Sequence, residues 1–568
     1  MNTSRQSIAR DLAWVLLPAL VLIGAGIGLR DPWPADEPLH ALIARDMLAS
    51  GNWLIPMVGG DVFQDKPPLL FWLQASFFRL TGSERIGFLL PSLLAALGTL
   101  ALVYDLGRRL WNREAGLHAA WLLLFTVQFT LQARRGQLDA LLMFGTVLSL
   151  YCLLRQLLLG GGWWWAVAAG LAAGLGTLAK VVGFLSFLVL LPWLFAVWRG
   201  WPGVKWQRPF AMWFASLAAW AAVVGAWLLP IWLQARHDPA MARYFHELVV
   251  THTVGRFVEP WHHFKPAWYY LQVMATSWLP AVLLLPWLVP RWRAALAQRD
   301  ARVLLPLGFV VLYLLFFTLT RGKRDLYILS ALPMLALAAG YLLPGLLRRA
   351  AVQRLCLAVP GVIAVACAGV LLWAHFIDVE RGRALLARAG MGSFAPLLLL
   401  GVITMAGLLW WGRGKAQCAL LTALTAGWLI AGLWVFPRMD GERSARNFIA
   451  RVEQAADPAR ELGLLAYHEH FLWQLRRPSV NFGHRRFREG EQEAFDASAW
   501  LAAHAGRQLL VPEAMRTPCF AQLADTRDMG RSSRGRWYLV QGEPDPACVA
   551  RGDAGRALYY APQTPVPE

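Results

Sequence analysis

Apolar runs of about 18 to 22 residues recur from near the N-terminus to about residue 436, the length a helix needs to cross a hydrocarbon core. Between them stand short polar connections. Spacing of this kind predicts an all-α polytopic membrane domain of about 13 transmembrane helices over residues 1–436. After residue 436 the pattern changes. ERSARNFIARVEQA has helical spacing, with Ala445, Phe448, Ile449 and Val452 on one face, and LGLLAY, RQLLVP and RWYLVQ read as short strands between turn residues. A C-terminal soluble α/β domain over residues 437–568 is expected.

Composition supports a membrane chain: 57% of the 568 residues are hydrophobic and only 16% charged, too apolar for a soluble multidomain protein of this length. The net charge of +19 excludes little by itself, but its placement is informative. From Pro437 onward there are 18 arginines, no lysine and 17 acids, so the excess lies in the membrane part. Basic residues gather at Arg108 and Arg109, at Arg155, at Arg199, Lys205 and Arg208, at Arg291 and Arg293, at Arg348, Arg349 and Arg354, and at Arg413 and Lys415. Each group follows an even-numbered apolar run. The positive-inside rule then puts the N-terminus in the cytoplasm and the C-terminal domain in the periplasm of a bacterial inner membrane. Membrane phospholipid, not nucleic acid, is the expected partner of this charge. The first run, at about residues 12–29, is long for a signal peptide and lacks a small-x-small cleavage site, so it reads as a retained span.

On this topology several ionisable groups collect on the outer side, where a charge at a span end points to function. The large first loop, 31–86, opens PWPADEPLHALIARDML. Leu39, Leu42, Ile43 and Met47 share a helical face, as in a helix lying in the interface plane. Asp36 and Glu37 stand at its start, where an N-cap with a dipole-favoured acid and a reactive carboxylate are both open. Asp65 and Lys66 precede Pro67, Pro68 and an apolar run. A snorkelling lysine accounts for Lys66 but not for its acidic neighbour. Arg134, Arg135 and Asp139 follow in QARRGQLDALL. Two arginines on the outer side need acids or an anionic ligand, and Asp139 can cap the next helix. Lys180 sits between two runs with almost no loop. Arg321, Lys323 and Tyr327 lie in RGKRDLYILSALP, a basic cluster on the side that the topology disfavours. THTVGRFVEPWHHFKPAWYY offers His252, Arg256 and His262. Its spacing matches no tight ligand pattern, so a divalent metal stays open and no cofactor is certain. No Walker loop and no GxGxxG between strand and helix is present, which leaves a nucleotide-sugar or ATP site unsupported. Cys519 and Cys548, the two cysteines of the tail, are a candidate disulfide in an oxidising compartment.

Taken together, ADEPLHALIARDMLASGNWLIP, DKPPLLFWLQ, RRGQLDALLMF, LAKVVGF, the segment from HTVGRF to HFKPAWYY, and GKRDLYILSALP resemble the lipid-dependent glycosyltransferases of the GT-C class. The nearest branch is that of the bacterial aminoarabinose transferases, related to the protein O-mannosyltransferases. The resemblance covers roughly residues 31–345, and Asp65 stands where that branch usually has glutamate. It implies transfer of a sugar from a polyprenyl-phosphate carrier to lipid A or another envelope glycoconjugate, with inversion at the anomeric carbon. Lys66, Lys180, Arg256, Arg321, Lys323 and Tyr327 would bind the donor phosphate. Asp36 would be the general base or cation stabiliser, with Asp139 and Glu37 as further carboxylates and Asp65, Arg134, Arg135, His252 and His262 in support. A transporter or flippase of lipid-linked sugars and a protein O-glycosyltransferase are the alternatives.

Overall fold

The computed structural model describes residues 2–204, 211–249, 264–412, 414–484, 486, 489–523, 525–533 and 535–561. Eight helices among them are long and apolar enough to cross a membrane, and a ninth span is formed if the bent pair Tyr269–Ser277 and Ala281–Ala297 is one pass. Trp164–Ala179, Asp325–Gly340 and Ala395–Trp411 are shorter apolar helices. The first span is α1 (Asn2–Gly24).

Between the first two spans lies the loop that the apolar pattern leaves long. It holds α2 (Glu37–Ser50), a two-stranded hairpin of β1 (Met57–Val58) and β2 (Asp61–Val62), and α3 (Leu69–Thr81). Leu39, Leu42, Ile43 and Met47 do share a face of α2, but it is buried within the protein. Phe71 and Phe78 of α3 join them, and so do Phe448, Leu464 and Phe471 of the C-terminal domain. Helix α2 is therefore a core helix between two domains rather than one resting on lipid. Helix α3 has 13 residues and ends at Gly82 in the left-handed region. At 1.5 Å per residue that is roughly 20 Å, short of a full crossing. Pro68 occupies its N-cap, so both prolines precede the helix.

The bundle continues through α4 (Leu90–Leu110), α5 (Arg113–Leu124), α6 (Val127–Ala133), α7 (Leu138–Leu159) and α8 (Trp164–Ala179). The apolar run before Arg134 is thus split into α5 and α6, with Thr126 at the N-cap of α6. Later elements used below are α9 (Leu343–Leu347), α10 (Ala350–Leu372), α11 (Ala416–Ile430), α12 (Phe436–Arg443) and α13 (Arg446–Ala455).

The C-terminal domain is a six-stranded mixed sheet with helices. Its strands are β3 (Glu461–Leu464), β4 (Ser479–Asn481), β5 (Arg507–Pro512), β6 (Asp525–Ser532), β7 (Gly535–Gln541) and β8 (Leu558–Tyr560), in the order β6-β7-β5-β3-β4-β8. Strand β3 pairs parallel with β4 and β5, and the outer pairings are antiparallel. LGLLAY, RQLLVP and RWYLVQ supply three adjacent strands of the four interior ones, β3, β5 and β7, buried where their apolar residues alternate or run on. Cys519 and Cys548 form a disulfide, with Cα atoms 5.6 Å apart.

Two polar ties fix this domain on the first loop. Asp31 accepts hydrogen bonds from Arg85 (2.7 Å), Arg446 and Gln474 (2.8 Å), while Arg446 also donates to Asp440 (2.6 Å). At the hairpin, Asn481 Nδ2 donates to the Gly59 carbonyl (2.8 Å) and the His484 N–H to Asp61 (3.0 Å). Gly59 has φ +59°, and a Cβ there would stand 3.0 Å from Leu472, so glycine suits both the turn and the close approach.

Candidate active site

Asp36 is the N-cap of α2 by position, yet its side chain makes no capping bond. Its carboxylate instead accepts from Arg324 Nη2 (2.8 Å) and Gln137 Nε2 (3.3 Å). Burial alone would raise its pKa, but the Arg324 charge, with a contribution from Lys66, outweighs that and holds the carboxyl down to about 2. Neighbouring His40 is buried, with Nδ1 3.2 Å from the Gly136 carbonyl. Desolvation lowers its pKa, which favours the neutral ring.

Asp139, in the first turn of α7, pairs with Lys180 Nζ at 2.7 Å. Lys180 is held in an extended conformation where α8 stops and a 3-10 helix begins. The two residues come from separate sequence segments and meet as an ion pair, and the N-cap of α7 is Gln137 rather than Asp139. Lys180 Nζ also lies 4.5 Å from the centre of the Tyr327 ring, so Tyr327 meets this cation with its π face rather than its hydroxyl. Lys66 is half-buried, and its charge is felt at both Asp36 and His40. Asp65 beside it is buried. Arg135 is half-buried and forms no ion pair among the described residues.

Other expected residues have different work. Glu37 is buried and saturated: it receives Arg30 through two bonds (2.6 and 2.8 Å), the Trp33 N–H (2.8 Å) and the Gly136 N–H (3.0 Å). No lone pair is left for chemistry, so its part is to fasten the first loop to the RRGQLD turn. A Cβ at Gly136 would come within 2.7 Å of Phe88, which is why the backbone can approach Glu37 only with glycine there. Glu37→Ala would leave Arg30 charged, buried and unpaired, and a stability loss of roughly 3–5 kcal/mol is expected. A melting temperature equal to wild type in detergent would count against this role.

Arg134 answers its own puzzle without an acid or a ligand. Its guanidinium donates to the carbonyls of Leu22 (2.5 Å) and Ala25 (2.6 Å), capping the C-terminal end of α1, where the helix dipole favours a cation. Lys323 is buried and donates to the Thr320 carbonyl (2.5 Å) at the end of the preceding helix, and Arg321 is exposed. Neither is seen to face Asp36. Arg256, His252 and His262 lie outside the described residues. Among those described, no group of three or more His, Cys, Asp and Glu is arranged to hold a metal.

Several members were missed from the sequence. Arg324 sits in the basic cluster that flagged Arg321 and Lys323, but nothing in the spacing singles it out. The C-terminal domain also reaches the site. A cavity of about 350 Å3 lies against Asp36 and Leu39 and is walled on its other side by Tyr467, His468, Glu469 and Glu493. Glu469 stands 3.5 Å from His484 Nδ1. Glu493 is buried, which raises its carboxyl above the usual range, and it accepts the Ala466 N–H (2.8 Å).

Residues 65–228 match the family described as Dolichyl-phosphate-mannose-protein mannosyltransferase. An undecaprenyl phosphate-alpha-4-amino-4-deoxy-L-arabinose arabinosyl transferase of Pseudomonas paraeruginosa is 30% identical over 431 residues, 73% of this chain and 74% of that protein. The chain belongs to the undecaprenyl phosphate-aminoarabinose arabinosyl transferase family. A Sodalis glossinidius member is 35% identical over 321 residues, 55% of this chain, and the match spans only 56% of that relative's length. The crystal structure of ArnT from Cupriavidus metallidurans bound to undecaprenyl phosphate shares the fold, with a TM-score of 0.72 at 19% identity over 93% of this chain and 98% of that one. The family's fold therefore extends through the C-terminal sheet.

Proposed function

We propose that the chain is an inverting membrane glycosyltransferase that moves a sugar from a polyprenyl-phosphate carrier to an envelope acceptor such as lipid A. The observation that carries this is one electrostatic cluster, Asp36–Arg324 and Asp139–Lys180 beside Lys66, at the boundary between apolar bundle and soluble domain. Family membership supports it, since the relatives are named for an undecaprenyl-phosphate donor. With the three short apolar helices and the split α5–α6 run, the spans amount to about thirteen. Positive-inside counting sets the N-terminus in the cytoplasm and the C-terminal domain in the periplasm.

As the glycosidic bond breaks, negative charge grows on the departing phosphate. Fixed cations aimed there lower the barrier without reorganising. Lys66 takes this part, supported by Lys180, with Tyr327 as an apolar and π wall for the ammonium. Arg135 and Arg256 are further phosphate candidates. Asp36, held at about 2, is a poor proton acceptor at neutral pH. It suits stabilisation of the sugar's developing positive charge better than general-base work. An acceptor that is already ionised, such as a lipid A phosphate, needs no strong base. The names of the relatives include an amino sugar, and Glu469 and Glu493 in the adjoining cavity are suited to its ammonium.

The deciding experiment gives purified protein undecaprenyl phosphate-linked 4-amino-4-deoxyarabinose and lipid A and follows the acceptor by mass spectrometry. The expected result is a gain of one aminopentose residue. No gain with this donor, with intact binding of it, would move the reading to a carrier of lipid-linked sugars.

A further inference from the structure

At the end of the bundle away from the C-terminal domain, two cavities meet. One, of about 400 Å3, lies among α5, α10 and α11 and is walled by residues such as Trp121, Leu122, Phe125, Val359, Leu421 and Leu424. The other, of about 780 Å3, opens at the connecting segments and is lined by Glu114, Arg348, Gln353, Arg354 and Gly414. His118, Leu347 and Gln417 line both, so the two form one crevice with an apolar shaft and a polar mouth.

Its direction follows from helix geometry. On α5 the lining residues rise turn by turn through Glu114, His118 and Trp121 to Phe125 at its C-cap, and on α11 through Gln417, Leu421 and Leu424. The crevice therefore runs along the helix axes for roughly 16 Å at 1.5 Å per residue, about half of a 30 Å hydrocarbon core. That is the depth of one leaflet. Its neck is built rather than accidental: Gln353 Nε2 donates to Gln417 Oε1 (3.1 Å), Gln353 Oε1 accepts the Ala416 N–H (3.1 Å), and His118 Nδ1 bonds the Glu114 carbonyl (2.8 Å). Arg348 and Arg354 are exposed at the mouth and form no ion pair among the described residues. Among the described residues Glu114 is the one carboxylate lining it, against Arg348 and Arg354.

We infer that this crevice binds a glycerophospholipid with an anionic headgroup, one acyl chain in the shaft and the phosphate held by Arg348 and Arg354. The abrupt change from apolar to cationic lining at leaflet depth fits an amphiphile and not a peptide. A polyprenyl chain is several times longer than the shaft, which ends near the level of Phe125 and Leu424. The polar mouth at Glu114 lies at the other end of α5 from Phe125, and the proposal is independent of the sugar-transfer reading.

Full-length protein in detergent is titrated with dioleoylphosphatidylglycerol, dioleoylphosphatidylcholine and undecaprenyl phosphate, and bound lipid is counted by native mass spectrometry. Phosphatidylglycerol should be retained preferentially. Arg348→Ala with Arg354→Ala should reduce that preference about fivefold for each arginine lost, with the melting temperature in lipid-free detergent and the sugar-transfer rate unchanged. Leu421→Trp should narrow the shaft and reduce retention of every phospholipid while Arg348 and Arg354 remain. Equal retention of phosphatidylcholine by wild type, or unchanged phosphatidylglycerol retention in the double variant, would overturn the proposal. Preferential binding of undecaprenyl phosphate that the double variant loses would reassign the crevice to the carrier.

Discussion

Lys66→Ala is expected to lower the transfer rate by roughly a hundred- to a thousandfold while insertion and yield stay at the wild-type level. The magnitude is that of removing one preorganised cation from a charge that develops only in the transition state. Local structure makes the test clean. Lys66 precedes α3, whose N-cap is Pro68 and whose buried face is Leu70, Phe71, Gln74, Ala75 and Phe78, so the helix does not depend on the lysine for its packing. Lys66→Arg, which keeps the charge at a different reach, should recover part of the rate. Transfer by Lys66→Ala at the wild-type rate would remove the residue from the phosphate site.

Asp36→Asn and Asp36→Ala should both reduce transfer by at least about a hundredfold, and by similar factors. If capping were the role, asparagine would preserve activity and alanine would not, because asparagine is as good an N-cap as aspartate. The pH profile carries the sharper information. A carboxyl held at about 2 by Arg324 stays charged throughout the working range and is neutralised only as the pH falls through that value. Wild-type activity should therefore show no loss assignable to Asp36 between pH 7 and about pH 4. In Arg324→Gln the depressing charge is gone while burial remains, so the acid limb should move upward into that interval. A wild-type inflection near the ordinary aspartate value that disappears in Asp36→Asn would contradict the ion pair.

Much of this site is legible in the sequence because membranes make charge conspicuous. Asp36, Lys66, Asp139 and Lys180 stand out at the edges of apolar runs, and the fold brings all four into one region. What the sequence leaves ambiguous is which partner each charge takes. Arg134 and Lys323 look like anion binders by position, yet both donate to carbonyls at helix ends. The dipole of a neighbouring helix leaves no mark in the local sequence. Glu37 and Arg30 pair across a turn, and Arg30 lies outside the helix that Glu37 begins, so their seven-residue spacing is not a helical face. The apolar stripe of α2 is correctly periodic, but periodicity reports that a face is buried and not by what. Here protein covers it instead of lipid. The strands of the tail are legible from their apolar runs, whereas its contribution of Tyr467, Glu469 and Glu493 to the Asp36 cavity depends on contacts across the whole chain.

The bonds between Arg446 and Asp31 and between Asn481 and Gly59 span 415 and 422 positions. A polypeptide made from its N-terminus has threaded nearly every hydrophobic segment before these partners emerge. The far wall of the cavity beside Asp36 is consequently made only after the last long apolar run. A ribosome-bound precursor carries the charged cluster before it has the residues that wall the cavity on its other side. A premature stop before Ala466 would then yield a chain that lacks every residue by which the final domain walls this cavity.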